Sequence, residues 1–148
     1  MLVAGFDCCS RSIACVVLDQ DKKWVKSFFI ESKKKTADDR LKELVIGLEE
    51  VNPWFTVAYI EAPIFIQNVT ATNSIAEVIG VVRSWCNRNG VADFMVSVAS
   101  WKKGVLGKGN VSKDDIMKYA KVNWGENVIN QDIADAACIA MWGVLRNV

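Results

Sequence analysis

Histidine is absent from the chain, and its five cysteines never form a C-x-x-C pair. Without histidine or paired cysteines, the sequence offers no ligand spacing of the kind that holds zinc. An odd cysteine count without a secretion signal predicts reduced, mostly buried thiols and a cytoplasmic protein. The sequence therefore argues against two common supports of small domains, a structural zinc site and a set of disulfides.

A long apolar segment is also missing. No stretch reaches the roughly 18 uncharged residues that are needed to span a bilayer. The N-terminus, MLVAGFDCCSRS, lacks the basic region of a signal peptide and suits a strand better. Because 51% of the 148 residues are hydrophobic, a folded protein is expected rather than a disordered one. We therefore expect a single domain over residues 1–148 that does not bind a membrane.

Net charge is small, but positive charge is concentrated in one segment. The chain carries a formal net charge of only +1, which argues against a nucleic-acid binder whose whole surface is basic. Between residues 102 and 121, however, six lysines outnumber Asp114 and Asp115, which leaves a local net charge of +4. A phosphate-facing surface needs such a bias, although a solvated helix face would show it too.

The order of the predicted elements indicates an α/β fold. LVAGFDCC, IACVVLD and WVKSFFIES are three apolar segments of strand length, joined by short polar turns. A helix capped by Thr36 follows, then a strand that ends at Glu61, a long helix over 70–89 and the strand FMVSVA. The segment SWKKGVLGKGNVSK lacks a helical period, so we predict a loop there. Ser112 is expected to cap the next helix, and the last helix to run from Gln131 to Leu145. The prediction is a five-stranded mixed sheet flanked by helices.

Four carboxylates lie inside apolar segments, in LVAGFDCC, FTVAYIEAPIF and INQDIADAACIAMWG; they are Asp7, Glu61, Asp132 and Asp135. Ionised carboxylates are rarely buried unless they are paired or hold a metal. Asp132 and Asp135 share one helix face, and this helix could bring them over Asp7 and Glu61 if the first and fourth strands are neighbours. Hard oxygen ligands without histidine favour Mg²⁺.

Structural explanations remain open for two of these carboxylates. Asp132 could stabilise the positive end of its helix dipole, and Glu61 could simply lead a strand into solvent. Asp7 is harder to explain in this way, because it lies in the middle of a strand between Phe6 and Cys8.

Four motifs, in order, resemble those of the RuvC Holliday-junction resolvases of the RNase H-like superfamily. VAGFDCCSRSIACVVLD is similar to the family's first hairpin, and YIEAPIF to the strand that bears the catalytic glutamate. SWKKGVLGKGNVSKDDI resembles the basic loop, with Lys102, Gly107, Gly109 and Lys113 in register. NQDIADAACIAMWG resembles the last motif, a D-x-x-D-A-x-x-x-A frame.

The resemblance implies an RNase H-like fold and a Mg²⁺-dependent endonuclease that cuts four-way DNA junctions. By it, Asp7, Glu61, Asp132 and Asp135 would hold two Mg²⁺ ions, for which Mn²⁺ would substitute. Lys102 and Lys113 would stabilise the scissile phosphate. Other residues expected to contact DNA are Arg11, Lys103, Lys108 and Lys118, together with Ile64 and Phe65, where the family places an aromatic wedge.

The resemblance also implies a homodimer that forms through the helix over 70–89. Its apolar row, Ile75, Val78, Ile79 and Val82, would serve as the seam between two copies or, equally, as part of one copy's core.

The chain departs from the family pattern in three places. The first turn reads Cys8-Cys9-Ser10 where Pro-Gly-Ser is common, the wedge position holds Ile64, and the last motif offers only aspartates. Compact, divergent members of this kind are expected in bacteriophages, which would place the protein in the host cytoplasm.

Other functions remain open on the sequence. The same fold could act on forks, flaps or RNA, or could bind junctions without cutting them. An actin-like ATPase fragment also begins with a strand that bears an aspartate. The chain is too short for two such domains, however, and has no glycine-rich phosphate loop of the expected form.

Overall fold

A computed structural model of the chain describes residues 1–63 and 68–147 and is built around one five-stranded sheet. Its strands are β1 Leu2–Cys8, β2 Ser12–Asp19, β3 Trp24–Glu31, β4 Val57–Glu61 and β5 Ala92–Val96. Their order in the sheet is β3-β2-β1-β4-β5. The first three strands pair antiparallel, while β4 is parallel to β1 and β5 is parallel to β4. The predicted mixed sheet is confirmed, and the first and fourth strands are neighbours.

Helices cover both faces of the sheet. They are α1 Ala37–Glu49, α2 Val69–Arg88, α3 Val98–Leu106, α4 Lys113–Trp124 and α5 Gln131–Arg146, with a short 3-10 helix at Gly125–Asn127. Side chains of α1 and α2 share one buried cluster with the sheet, and those of α3, α4 and α5 share another. Within residues 1–63 and 68–147, no single helix is long and apolar enough to cross a membrane. One pair of helical segments in these residues, Lys113–Asn127 and Gln131–Arg146, has sufficient length and apolar composition when taken together, but the pair is bent by 97°.

The alternation of side chains along β1 explains these two cores. Val3 belongs to the cluster under α5, while Ala4 and Phe6 belong to the cluster under α1 and α2. Successive residues of a strand point to opposite faces, so a strand that is covered on both sides is apolar throughout. Asp7 therefore projects from the same face as Val3, toward α5.

The predicted helix caps are confirmed. The Thr36 hydroxyl accepts a hydrogen bond from the backbone N–H of Asp39 at 3.2 Å, which begins α1. Ser112 begins α4 with a reciprocal capping box, in which its side chain and that of Asp115 each accept a bond from the other residue's backbone N–H. These bonds satisfy N–H groups that have no partner inside the helix.

The predicted loop after the fifth strand is partly wrong. β5 ends at Val96, the Ser97 hydroxyl accepts from the N–H of Ser100 at 3.1 Å, and α3 follows. The helix is stabilised by burial of Trp101, which is 1% exposed, and this tertiary contact outweighs the low helix propensity of Gly104. Gly107 ends the helix in the left-handed conformation, with φ of 88°.

The apolar row on α2 belongs to the monomer's core. Val78, Ile79 and Val82 are buried, and Ile75 packs against the same cluster. Of the two uses that the sequence left open for this row, the structure shows the core of one copy, because Val78, Ile79 and Val82 are already buried there. A contact between two copies through α2 would use the opposite, exposed side of the helix.

The backbone of α5 lies directly on β1. A Cβ atom at Gly5 would overlap the carbonyl oxygen of Ala136 and the backbone nitrogen of Ala140. Glycine at this position therefore lets the helix approach the strand more closely than any side chain would allow. This close approach also fixes the height of the first turn of α5 above the end of β1.

We expect Gly5→Ala to lower the free energy of unfolding by about 3 kcal/mol or more, because the new methyl group meets backbone that cannot move aside. Thermal or urea unfolding measures the change. Gly80→Ala is the matched control, since Gly80 lies exposed within α2 and a Cβ there meets nothing within 4 Å. Replacing this helical glycine with alanine should stabilise the control by about 0.5–1 kcal/mol, because alanine has the higher helix propensity. Equal stability of both variants would contradict the close packing described.

Candidate metal centre

Two of the four carboxylates lie side by side at the ends of parallel strands. The register of β1 and β4 pairs Gly5 with Tyr59. Asp7 and Glu61 each lie two residues farther along, so both project from the face that α5 covers. Asp7 is 6% exposed, while Glu61 at the end of its strand is partly exposed. The sheet alone therefore brings together two residues that are 54 positions apart in the chain.

The first turn of α5 brings the remaining two carboxylates over this edge. The side chain of Asn130 accepts a hydrogen bond from the N–H of Ile133 at 2.8 Å and so begins the helix just before Asp132. Asp132 and Asp135 are then one turn apart on the side that faces the sheet, where both are half-buried. The structure thus brings the four acidic residues to one edge of the sheet, while their role as metal ligands stays a prediction.

One group of atoms is close enough to share a cation. Ligand atoms of Asp7, Cys9 and Asp132 all lie within 4.8 Å of one another. The Cys9 thiol donates a long hydrogen bond to Oδ1 of Asp132 at 4.0 Å. Cys9 was not among the residues predicted for this site, and the sequence showed only that it follows Asp7 by two positions.

Negative charge in the site is not balanced by the protein. Burial raises the pKa of Asp7 well above its usual value, and the charges of Glu61, Asp135 and Asp132 raise it further. Burial is also the main reason that the pKa values of Glu61 and Asp135 are raised. None of the four carboxylates forms a salt bridge with the part of the chain that the structure describes. The arrangement therefore favours a bound cation.

Two neutral side chains hold carboxylates from outside the cluster. Trp101 Nε1 donates to Glu61 Oε2 at 2.8 Å, and Gln131 Nε2 donates to Asp135 Oδ1 at 2.8 Å. Each bond lowers the pKa of its carboxylate and so favours the ionised form. Sequence reasoning missed both donors. The signal for Gln131 was its position four residues before Asp135 on one helix, whereas nothing in the sequence connects Trp101 with Glu61.

Two of the predicted lysines lie near the cluster. The charge of Lys102 in α3 lowers the pKa of both Glu61 and Asp135, and Lys113 at the start of α4 lowers that of Asp135. Neither lysine forms a salt bridge among the described residues. Both ammonium groups thus lie beside the carboxylates without being neutralised by them.

The other residues predicted to contact DNA lie around the site or outside the described structure. Arg11 is exposed in the turn between β1 and β2, Lys103 and Lys118 are exposed on α3 and α4, and Lys108 is exposed just after α3. Ile64 and Phe65 lie outside the described residues. A cleft of about 190 Å³ lies beside the carboxylates and is lined by Asp7, Cys8, Cys9, Glu61, Ala62, Pro63 and Ile75.

Comparison of the chain with known sequences finds one stretch of similarity. No protein-family model matches. A curated relative, the crossover junction endodeoxyribonuclease RuvC of Brachyspira hyodysenteriae, is 32% identical over 90 residues. The matched stretch is 61% of this chain and spans 56% of that relative.

Solved structures match the fold over nearly the whole length. Thermus thermophilus RuvC superposes with a TM-score of 0.81 at 18% identity, over 99% of this chain and 96% of that one. In its complex with a Holliday junction substrate, T. thermophilus RuvC reaches 0.84 at 19% identity, over 99% and 94% of the two chains. The fowlpox virus Holliday junction resolvase gives 0.63 at 11% identity, over 100% of both. The resemblance to RuvC-type resolvases is confirmed, and the chain has their RNase H-like fold.

Proposed function

We propose that the chain is a metal-dependent endonuclease that resolves four-way DNA junctions, with one nuclease domain over residues 1–148. The observation that carries the proposal is the meeting of Asp7, Glu61 and the aspartates of α5 at one sheet edge, with Lys102 and Lys113 beside them. This edge belongs to a fold shared with RuvC, whose complex with a Holliday junction is the structural neighbour with the TM-score of 0.84.

The donor set fits Mg²⁺ ions, which Mn²⁺ would replace. Four carboxylates supply hard oxygen ligands, and the raised pKa values of Asp7, Glu61 and Asp135 indicate negative charge that a divalent cation would neutralise. Asp7, Glu61, Asp132 and Asp135 would hold the metal, two ions at each site. Divalent cations supply an activated water and neutralise charge on a phosphodiester.

The chain's own side chains would orient the reaction. Trp101 and Gln131 fix the oxygens of Glu61 and Asp135 through their hydrogen bonds, so these ligands do not have to be ordered when substrate arrives. Lys113 and Lys102 would face the scissile phosphate, where positive charge stabilises the extra negative charge of the transition state. Arg11, Lys103, Lys108 and Lys118 would contact phosphates farther along the DNA.

Paired cuts in a four-way junction call for two sites related by a twofold axis, so we also propose a homodimer. The exposed side of α2 is the surface that supports it. Val69, at the start of the helix, is 67% exposed. Ala76, Gly80 and Ser84 follow on the same exposed side, and their small side chains would let the helices of two copies approach closely.

We expect Asp7→Asn to lower Mg²⁺-dependent cleavage of a synthetic four-way junction by at least about 100-fold, because losing even an outer partner of a metal ligand costs 10–100-fold. Junction binding, measured by gel shift, should persist. Asp38→Asn, an exposed change in the first turn of α1, is the control and should cut normally. Cleavage by Asp7→Asn at the control's rate would exclude Asp7 as a ligand. The same assay on forks, flaps and RNA tests the proposed substrate class.

Trp101→Phe should raise the Mg²⁺ concentration needed for half-maximal cleavage by about 10–100-fold, since Glu61 loses the donor that favours its ionised form. The measurement is a Mg²⁺ titration of the cleavage rate. Trp85→Phe is the matched control, because Trp85 is equally buried but lies in the core beneath α1 and α2. An identical shift in both variants would mean that lost packing, and not the hydrogen bond, is the cause.

Metal-free protein should lose stability as the pH rises. Folding raises the pKa of Asp7 above its usual value near 3.8. At a pH above 3.8, the folded protein therefore still binds a proton at Asp7 that the unfolded chain has released. The stabilisation is complete below that value and disappears as the pH rises through the folded-state pKa. Thermal unfolding with a chelator measures this. Asp7→Asn should show a smaller decline and unfold at a higher temperature than wild type at pH 8.

Magnesium should reverse the effect in wild type. At 100 times its Kd, a bound ion adds about 2.7 kcal/mol to the free energy of unfolding, and the gain should shrink at acidic pH, where protons compete for the ligands. A wild-type decline equal to that of Asp7→Asn would contradict the electrostatic origin assigned here.

A further inference from the structure

We propose that this metal centre also binds a soft divalent cation, such as Cd²⁺ or Zn²⁺, through the Cys9 thiolate together with Asp7 and Asp132. The inference rests on the proposed metal centre and assigns it a second class of ligand ion. A soft cation held in this way would occupy the position that Mg²⁺ needs and would inhibit cleavage.

The position of Cys9 carries the proposal. The residue follows β1 directly, in the turn that leads to β2, and its backbone N–H donates to the carbonyl oxygen of Ser12 at 2.9 Å. This bond fixes the turn beside the strand end that bears Asp7. The thiol then lies 4.0 Å from Oδ1 of Asp132, on the helix above. Three separate elements thus converge on one point.

The spacing of the three ligand atoms suits a metal ion. Because they lie within 4.8 Å of one another, a point between them is no more than roughly 2.8 Å from each atom. Zinc bonds to sulfur and oxygen are about 2.0–2.3 Å long, so small movements of the side chains would complete the coordination. The fourth position would be left to water.

A second observation concerns the negative charge of Asp7, which no positively charged side chain of the described residues balances through a salt bridge. Asp7 is 6% exposed, has an oxygen within 4.8 Å of Asp132, and is close enough to Glu61 and Asp135 to feel their charges. No lysine or arginine within residues 1–63 and 68–147 forms a salt bridge with it. A buried carboxylate without a positive partner points to a bound ion, and the thiol beside it decides which ions bind well.

Ligand chemistry separates the two classes of cation. Thiolate is a soft ligand that selects zinc and similar metals, whereas Mg²⁺ prefers oxygen. A Mg²⁺ ion would therefore leave the thiol of Cys9 protonated. A soft cation would form a bond to sulfur and release the thiol proton to solvent. Cys8, although adjacent, packs into the core under α1 and α2, so its thiol belongs to the opposite face of the sheet.

Titration of the full chain with Cd²⁺ tests the proposal, with the ultraviolet charge-transfer band of a thiolate–cadmium bond as the readout. We expect a band that saturates at one Cd²⁺ per chain. Cys9→Ser should abolish it, and Cys9→Ala should do the same without adding a hydroxyl. Cys8→Ala is the matched control and should keep the band. Asp7→Asn should weaken Cd²⁺ binding at least about tenfold, as expected for loss of a group that supports metal binding.

A wild-type band that survives unchanged in both Cys9 variants would overturn the proposal, as would its loss in Cys8→Ala alone. Inhibition gives a second measurement, since Cd²⁺ should inhibit Mg²⁺-dependent junction cleavage less strongly in Cys9→Ser than in wild type. The two proposals can fail separately. A Cys9-dependent band in a protein that cuts no junction would overturn only the nuclease function, and normal cutting without the band would overturn only this inference.

Discussion

The contact between the backbone of α5 and Gly5 of β1 is the constraint on which the site depends. A helix on a sheet normally rests on side chains, but here it meets main chain. The first turn of α5 is therefore held low over the end of β1, and two aspartates come within reach of Asp7. Strand register does the rest, because pairing of β1 with β4 sets Glu61 beside Asp7. Packing in the core thus determines the geometry of a polar site at the edge.

That geometry has an energetic cost to the folded state. Four carboxylates share a poorly solvated edge, and the protein supplies hydrogen bonds from Trp101 and Gln131 but no salt bridge among the described residues. Sites of this kind are common where function requires charge that stability alone would not select. The buried clusters on both faces of the sheet offset the cost, since they order the strands independently of the acidic edge.

Much of this arrangement could be predicted from the sequence, because it follows from local patterns. The strands are short apolar runs, the caps are single polar residues, and the carboxylates stand out against apolar neighbours. The parts that were missed depend on tertiary contacts. Helix α3 contains Gly104 and gains its stability from burial of Trp101, which no local pattern reveals. Likewise, the row Ile75 to Val82 predicts an apolar helix face but cannot say whether one chain or two cover it. Cys9 was overlooked because a turn places its thiol under a helix 123 positions away.

The hydrogen bond between Trp101 and Glu61 connects helix α3, which carries Lys102, with the acidic edge of the sheet. Trp101 is buried in α3, and the ammonium group of the next residue, Lys102, lies 5.8 Å from the centroid of its indole ring. Under the proposed function, a phosphate that contacts Lys102 would therefore lie one residue away from the side chain that holds the Glu61 carboxylate. The indole N–H of Trp101 thus connects a lysine proposed to face the DNA phosphate with a carboxylate proposed to hold metal.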